Sequence, residues 1–300
     1  MSNTKAWLQA ARLRTLPLSV SGILVGSFYA FSQGFSNWAI LVFALITTLG
    51  LQVLSNFAND YGDGIKGTDN EHRIGPKRAI QSGSITIGAM KKGIIITSVL
   101  TLIAAVLLIY ISFGRENFAY SVFFFVLGLA AIAAAIKYTV GNSAYGYRGL
   151  GDIFVFIFFG LVSVLGCYFL FAKNIDRFAV LPAISIGLLS VAVLNLNNMR
   201  DQIGDALSGK NTLVVKLGAR QAKIYHYAIV VTALALTIVF AVLSSFKPLQ
   251  YIFLIAYVPF VIHLKTVANN TVPRDLDPEL KKVALGTFFL SVLLCIAMQL

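Results

Sequence analysis

Two short sets of acidic and amide side chains recur along this chain, and oxygen donors of this kind suit a hard cation. The first is Asn59-Asp60-Tyr61-Gly62-Asp63, followed by Lys66 and Asp69. The second is Asn197-Asn198 and Arg200-Asp201, followed by Asp205, Gly209 and Lys210. Asp60, Asp63, Asp69, Asp201 and Asp205 make up five of the 12 acidic residues in the chain. Asn198, Asp201 and Asp205 fall at i, i+3 and i+7, one face of a helix, and Asn59, Asp60 and Asp63 fit the same geometry. Both sets lie at the ends of apolar stretches, where a carboxylate costs roughly 2.5–3.5 kcal/mol if drawn to the centre of a bilayer. Like charges this close repel and are stabilised together by a cation. Mg²⁺ takes part of its shell from a few carboxylates and the rest from water and phosphate oxygens. Two such clusters can hold two ions around one diphosphate. The plainer alternative is that the carboxylates cap helices or pair with nearby Lys and Arg.

Basic side chains stand close by. Lys66, Arg73, Lys77, Arg78, Lys137, Arg200 and Lys210 all belong to the same set of loops and helix ends. Diphosphate needs charge neutralisation to bind and, more so, to leave. Lys137, which closes an apolar run and precedes Tyr138, and Arg200, inside the second cluster, are the strongest candidates for that role. Most of the others read as ordinary membrane-flanking charges, and His72 reads as a solvated loop histidine. The segment 138–152 is rich in Gly and Tyr. Its Tyr rings offer faces to a cation; Tyr147 reads as an interface anchor and Asp152 as a helix N-cap.

The elements that must position these groups are membrane helices. The 300-residue chain is 58% hydrophobic and 12% charged, with a mean hydropathy of +0.81, far from the roughly 25% charged residues of soluble domains. Uncharged runs predict nine spans, near 15–33, 39–58, 93–114, 117–136, 153–172, 178–197, 226–246, 248–264 and 283–300. Placing the N-terminus inside puts 20 of the 24 Lys and Arg on the inner face, with Arg115, Lys173, Arg177 and Lys247 outside. The net charge of +12 therefore reads as topology, and its spread over five inner segments argues against nucleic acid as a partner. Long inner loops and short outer ones place the chemistry on the inner face. The two clusters lie 139 residues and four spans apart, which suggests two four-helix pseudo-repeats with a ninth helix added. No linker or soluble segment interrupts residues 1–300, so the expectation is a single all-α transmembrane bundle. Cys167 and Cys295 fall within apolar spans and predict buried packing rather than a disulfide or metal site.

The pattern resembles the UbiA superfamily of intramembrane aromatic prenyltransferases over nearly the whole chain. The resemblance rests on Asn59-Asp60-Tyr61-Gly62-Asp63-Gly64-Ile65-Lys66-Gly67-Thr68-Asp69 with Arg73-Ile74-Gly75-Pro76, on Tyr145-Gly146-Tyr147-Arg148-Gly149-Leu150-Gly151-Asp152, and on Asn197-Asn198-Met199-Arg200-Asp201-Gln202-Ile203-Gly204-Asp205 with Gly209-Lys210-Asn211-Thr212-Leu213. Arg14-Thr15-Leu16-Pro17 agrees with the family's entry to its first helix. These segments look like the branch acting on 1,4-dihydroxy-2-naphthoate. In one respect the first motif departs from the general pattern: five residues, not three, separate Asp63 from Asp69.

The resemblance implies nine helices around a cavity and transfer of a polyprenyl chain from its diphosphate to the naphthoate, with loss of CO₂ to give demethylmenaquinol for menaquinone synthesis. It implies Mg²⁺ as cofactor, with Asp60, Asp63, Asp201 and Asp205 as ligands, Asp69 joining them and Asn59 and Asn198 assisting. Lys137, Arg200 and Lys210 would contact diphosphate. Lys66, Arg73, Tyr138 and Tyr145 would help form the substrate site; Arg148, beside Tyr145 and Tyr147, reads either as the holder of the acceptor carboxylate through a paired hydrogen bond or as a solvated charge. It further implies a bacterial cytoplasmic membrane location with the active-site loops in the cytoplasm. One rival reading keeps the fold and changes the acceptor to 4-hydroxybenzoate, homogentisate, haem or a chlorophyll precursor. The other is a secondary transporter, against which stands the placing of the carboxylates at span ends rather than mid-span.

Overall fold

The computed structural model describes residues 3–69 and 74–300. Among them all regular structure is helical, and nine helices are long and apolar enough to cross a membrane. They are α1 (Thr4–Ser32), α2 (Trp38–Lys66), α3 (Ile87–Phe113), α4 (Phe118–Lys137), α5 (Gly151–Ala172), α6 (Val180–Leu207), α7 (Leu213–Leu243), α8 (Pro248–Asn269) and α9 (Pro273–Ala297). The nine expected spans are all present, and the chain is an all-α membrane protein. Large apolar side chains such as Ile96, Leu100, Phe123 and Val126 are exposed on the outer faces of α3 and α4, where acyl chains replace water as their solvent.

Local sequence sets the helix boundaries. The Asn37 side chain accepts from the Ala39 and Ile40 amides at 3.0 and 3.3 Å and starts α2. Thr86 and Thr212 cap α3 and α7 in the same way. The helices carrying the acidic clusters run further than hydropathy alone suggests: α2 continues to Lys66 and α6 to Leu207. Both close on a glycine four residues after an aspartate, Gly67 after Asp63 and Gly209 after Asp205, each with positive φ (70° and 71°). In both, the amide beyond the glycine returns to the aspartate carbonyl: Thr68 N to Asp63 O at 3.0 Å, Lys210 N to Asp205 O at 2.8 Å. This is the wrapped-back ending that needs a left-handed residue, most cheaply glycine. The same ending on α2 and α6 matches the four-helix spacing of the two clusters.

Three helices depart from regular α geometry along their length. In α1, Asn3–Ala11 and Leu16–Ser32 are joined by a 3₁₀ turn, Leu13–Thr15, preceded by Arg12 at φ 50°. In α7, the backbone breaks at Gly218, so helix precedes the expected span 226–246. In α5, Phe156–Gly166 is wound as a π-helix, a form common near functional sites. There Gly160 lets α5 approach α6 closely, since a Cβ on it would stand 2.7 Å from the Ala183 carbonyl and the Gly187 Cα. Cys167 and Cys295 are both buried and free.

A buried polar chain ties the last four helices together. Asn195 Oδ1 on α6 lies 3.0 Å from His226 Nδ1 on α7, His226 Nε2 lies 2.7 Å from His263 Nε2 on α8, and His263 Nδ1 lies 2.6 Å from Glu279 Oε2 on α9. Lys282 donates to the other Glu279 oxygen at 2.5 Å. Both histidines are fully buried. The sequence gives no signal for this chain, because its members are scattered singly over four spans.

Candidate active site

The end of α2 builds the first half of the site. Asp60 is 1% exposed, and its two oxygens accept from the Ala79 and Ile80 amides at 3.1 and 3.4 Å. That contact folds the following loop back over the helix. The fold-back delivers Arg78, whose Nη2 lies 3.3 Å from Asp63 and whose Nε lies 3.3 Å from Asp69. Asp63, also 1% exposed, accepts from the Tyr147 hydroxyl at 2.8 Å. Tyr147 in turn lies 2.5 Å from the Thr68 hydroxyl, and Lys66 stands 3.9 Å above its ring. Thr139 reaches the Ala58 carbonyl at 2.9 Å and Asn59 Oδ1 at 3.3 Å, fixing the start of the 138–152 loop against α2.

The end of α6 builds the second half. Arg200 is 2% exposed and donates to both Asp201 oxygens, at 2.9 and 2.6 Å, to Asn197 Oδ1 at 2.9 Å and to Asp277 Oδ1 at 2.5 Å. Lys210 is buried 3.7 Å from Asp205 and 5.6 Å from the Tyr147 ring centre. The Asn211 amide donates to the Tyr147 carbonyl at 3.1 Å. Tyr147 is therefore the bridge between the two clusters, not the interface anchor its position in a Tyr-rich loop suggests. Burial and the neighbouring Asp63 push its phenol well above the ordinary range, so it stays a neutral donor. Tyr138 is raised by burial and then by Asp152, Asp63 and Asp205, and Tyr145 by burial and then by Tyr138.

These elements enclose a cavity of about 980 Å³. Asn59, Asp60, Asp63, Arg78, Arg200 and Lys210 line one end of it. Beyond them comes an aromatic series in which Tyr138 meets Tyr145 edge-on at 5.3 Å, Tyr145 stacks on Phe154 at 3.9 Å and Phe154 on Phe158 at 6.4 Å. The remainder is apolar, walled by residues such as Leu108, Phe124, Leu127, Val162 and Leu170. A second polar wall comes from α1 and α2, with Lys5, Arg12, Arg14, Thr15 and Gln52.

Of the residues singled out from sequence, Asn59, Asp60, Asp63, Tyr138, Tyr145, Arg200 and Lys210 line this cavity. Asp69, Asn198 and Asp205 are buried just outside its lining, and Asp201 is half-buried against Arg200. Lys66, Lys137 and Arg148 are exposed and do not line it; the Arg148 carbonyl instead accepts from Lys216 at 2.7 Å. Arg73 and His72 lie outside the described residues. Asp152 accepts from the Tyr225 hydroxyl at 3.3 Å. In the sequence Arg78 stands only as one basic charge among several, and nothing local marks Arg12 or Asp277, yet all three line the cavity. Arg78 is 15 positions past Asp63, and only the loop's return over Asp60 reveals its partner.

Among the described residues, no three Asp, Glu, His or Cys side chains converge as a ready-made metal site. The donors nonetheless fit a hard cation in type. Asn59, Asp60, Asp63 and Asn197, which carry carboxylate or amide oxygens, line the cavity, and the Asn198 Oδ1 is buried without a hydrogen-bond partner. An ion bound here would complete its shell with phosphate oxygens and water, as Mg²⁺ commonly does.

Comparison with known proteins agrees with this geometry. Residues 19–293 match the UbiA prenyltransferase family. A Haemophilus influenzae protein named 1,4-dihydroxy-2-naphthoate octaprenyltransferase is 44% identical, over 96% of this chain and 94% of its own. An Escherichia coli protein of the same name is 42% identical, over 98% of this chain and 94% of its own. Among solved structures, a UbiA homolog from Archaeoglobus fulgidus bound to GPP and Mg²⁺ superposes with a TM-score of 0.70 at 15% identity, covering 98% of each chain. The apo UbiA homolog from Aeropyrum pernix also gives 0.70, at 14% identity, over 92% of this chain and 97% of that one. At those identities the likeness is one of fold.

Proposed function

Because the chain belongs to the UbiA prenyltransferase family, we propose that it transfers a polyprenyl chain from polyprenyl diphosphate to 1,4-dihydroxy-2-naphthoate with loss of CO₂, yielding demethylmenaquinol. The observation that carries this reading is the cavity itself. It joins a charged end, fit for a diphosphate, to a long apolar end, fit for an isoprenoid tail, across the Tyr138–Tyr145–Phe154–Phe158 aromatic series. Names shared with relatives at 42–44% identity supply the acceptor, and loss of CO₂ follows from attack at the ring carbon that bears the carboxylate. Residues 1–300 act as one catalytic unit, with the active-site loops facing the cytoplasm of a bacterium.

The chain's own residues take the following parts. Asp60 and Asp63 would hold Mg²⁺ from the cavity lining, Asp201 and Asp205 would join through oxygen lone pairs not taken by Arg200 and Lys210, and Asp69, Asn59 and Asn198 would support them. Bound Mg²⁺ would neutralise the charge that gathers on diphosphate as it departs. Arg78, Arg200 and Lys210 place fixed positive charge where that anion sits. The allylic C–O bond breaks with its electron pair leaving on diphosphate. The aromatic wall and the apolar cavity keep water from the electron-poor carbon and offer ring faces to its positive charge. The naphthoate carbon bearing the carboxylate forms the new C–C bond; the bond to the carboxylate then breaks, CO₂ leaves, and its electron pair restores the ring.

Incubation of the purified protein with Mg²⁺, a polyprenyl diphosphate and either naphthoate or 4-hydroxybenzoate tests the reading. Transfer to the naphthoate supports it. Transfer to 4-hydroxybenzoate alone would leave the family and overturn the acceptor.

A further inference from the structure

Arg200 is held on two edges by carboxylates of different character. Asp201, its neighbour on α6, takes the Nε and Nη2 edge through both oxygens and is 12% exposed at the side chain. Asp277, in the first turn of the helical segment Asp277–Ala297, takes Nη1 through one oxygen at 2.5 Å and is 41% exposed. Arg200 and Asp277 both line the cavity, and Asp201 does not. Asn197 occupies a further Nη2 hydrogen, so four of the five guanidinium donors are engaged. Asp277 therefore occupies the Nη1 edge that Arg200 would otherwise offer to an anion in the cavity. A single contact whose carboxylate is reached by solvent exchanges more readily than the two-bond contact to Asp201. The exchangeable partner is therefore Asp277.

Resting on the function proposed above, we propose that Asp277 competes with the diphosphate for Arg200. Its carboxylate holds the Nη1 edge of Arg200 toward the cavity until a phosphate oxygen takes that edge. The plainer account is that Asp277 merely complements the start of its helix, where acidic side chains are favoured. Asp275 and Glu279 flank the same turn, so helix-end charge alone does not require a carboxylate aimed at Arg200.

The test is binding of inorganic diphosphate with Mg²⁺ to the full-length protein in detergent, by calorimetry. Asp277→Asn removes the competitor and should tighten binding three- to tenfold, while Asp277→Glu keeps wild-type affinity. In an Arg200→Gln background the gain should vanish, because Asp277 acts through Arg200. Should Arg200→Gln fail to fold, Arg200→Lys, which keeps the charge but cannot span two carboxylates, should reduce the gain below twofold. Equal tightening with and without Arg200 would reveal a through-space charge effect and overturn the proposal. Unchanged or weaker binding in Asp277→Asn overturns it as well. Failure of the wild-type protein to bind diphosphate would sink the proposed function itself, and the role of Asp277 with it.

Discussion

The Tyr147 hydroxyl donates to Asp63 at 2.8 Å while the Tyr147 carbonyl accepts from Asn211 at 3.1 Å. A single loop residue thus fastens the acidic end of α2 to the segment that follows α6. Removing that hydroxyl should free the Asp63 end from the loop while the Asn211 contact to the Tyr147 carbonyl stays in place. A hydrogen bond to a charged group contributes about 1.5–3 kcal/mol. Tyr147→Phe should therefore lower kcat/KM for polyprenyl diphosphate by about tenfold or more while the protein still purifies folded. Steady-state kinetics against wild type decide it, and unaltered kinetics would return Tyr147 to the role of a surface aromatic.

The acidic clusters should be separable from folding. Asp60→Ala and Asp201→Ala should each abolish turnover, EDTA should stop the wild-type reaction, and Mg²⁺ should restore it. Asp60 also holds the Ala79–Ile80 turn, so Asp60→Asn is the matching control. Its single amide oxygen can still accept from one of those two amides, yet it carries no charge for an ion. Full activity in Asp60→Asn would remove Asp60 from the metal site and leave it as a loop anchor.

The spans and both clusters are legible in the sequence because each is a local pattern: uncharged runs for the helices, and Asn59, Asp60 and Asp63 in helical phase at a span end. The endings at Gly67 and Gly209 are legible in hindsight as glycines four residues past an aspartate. Arg78, Asp277 and the bridging role of Tyr147 are not, because each acquires its partner only when a loop or a distant helix packs. Lys137 and Arg148 fail to reach the cavity for the converse reason. Both sit beside the right residues in sequence and project away from them in space.

Membrane orientation has a direct chemical readout. Ser36, Ser82, Asn142 and Asn211 are all exposed, and Cys167 and Cys295 are buried, so the native thiols give little background. Cysteines at Ser82, Asn142 and Asn211 should resist an impermeant thiol reagent in intact cells, and one at Ser36 should react. The opposite pattern would invert the topology and face the site away from a cytoplasmic diphosphate donor.

The chain Asn195–His226–His263–Glu279 should matter to stability more than to chemistry, since none of its members lines the cavity. Leaving a buried polar partner unsatisfied costs about 1–3 kcal/mol, more beside a charge. His263→Leu strands His226 Nε2 and Glu279 Oε2, with Lys282 still on the other Glu279 oxygen, so thermal unfolding in detergent should begin several degrees earlier. His263→Gln can still pair with one of the two and should lose less. Equal melting of wild type and His263→Leu would show that the four helices hold together without this chain.

The acceptor leaves its mark in the product. If the ring is 1,4-dihydroxy-2-naphthoate attacked at the carbon bearing the carboxylate, the intermediate is non-aromatic there, and expelling CO₂ restores the hydroquinone. A 4-hydroxybenzoate enzyme would lose a ring proton and keep the acid. Carboxyl-labelled naphthoate should therefore release one labelled CO₂ per prenyl group transferred, with the lipid product lacking the carboxylate by mass. The group that holds the carboxylate before it leaves should be sought on the polar wall of α1. Arg12 is half-buried and lines the cavity, whereas Arg148 is exposed with its carbonyl tied to Lys216. Arg148→Ala should leave KM for the naphthoate within about twofold of wild type. Arg12→Met should raise it about tenfold or more, the loss of a charge-assisted contact of about 1.5–3 kcal/mol, with little change in KM for the polyprenyl diphosphate. A prenylated product that retains its carboxylate would preserve the family assignment and exclude the naphthoate reaction.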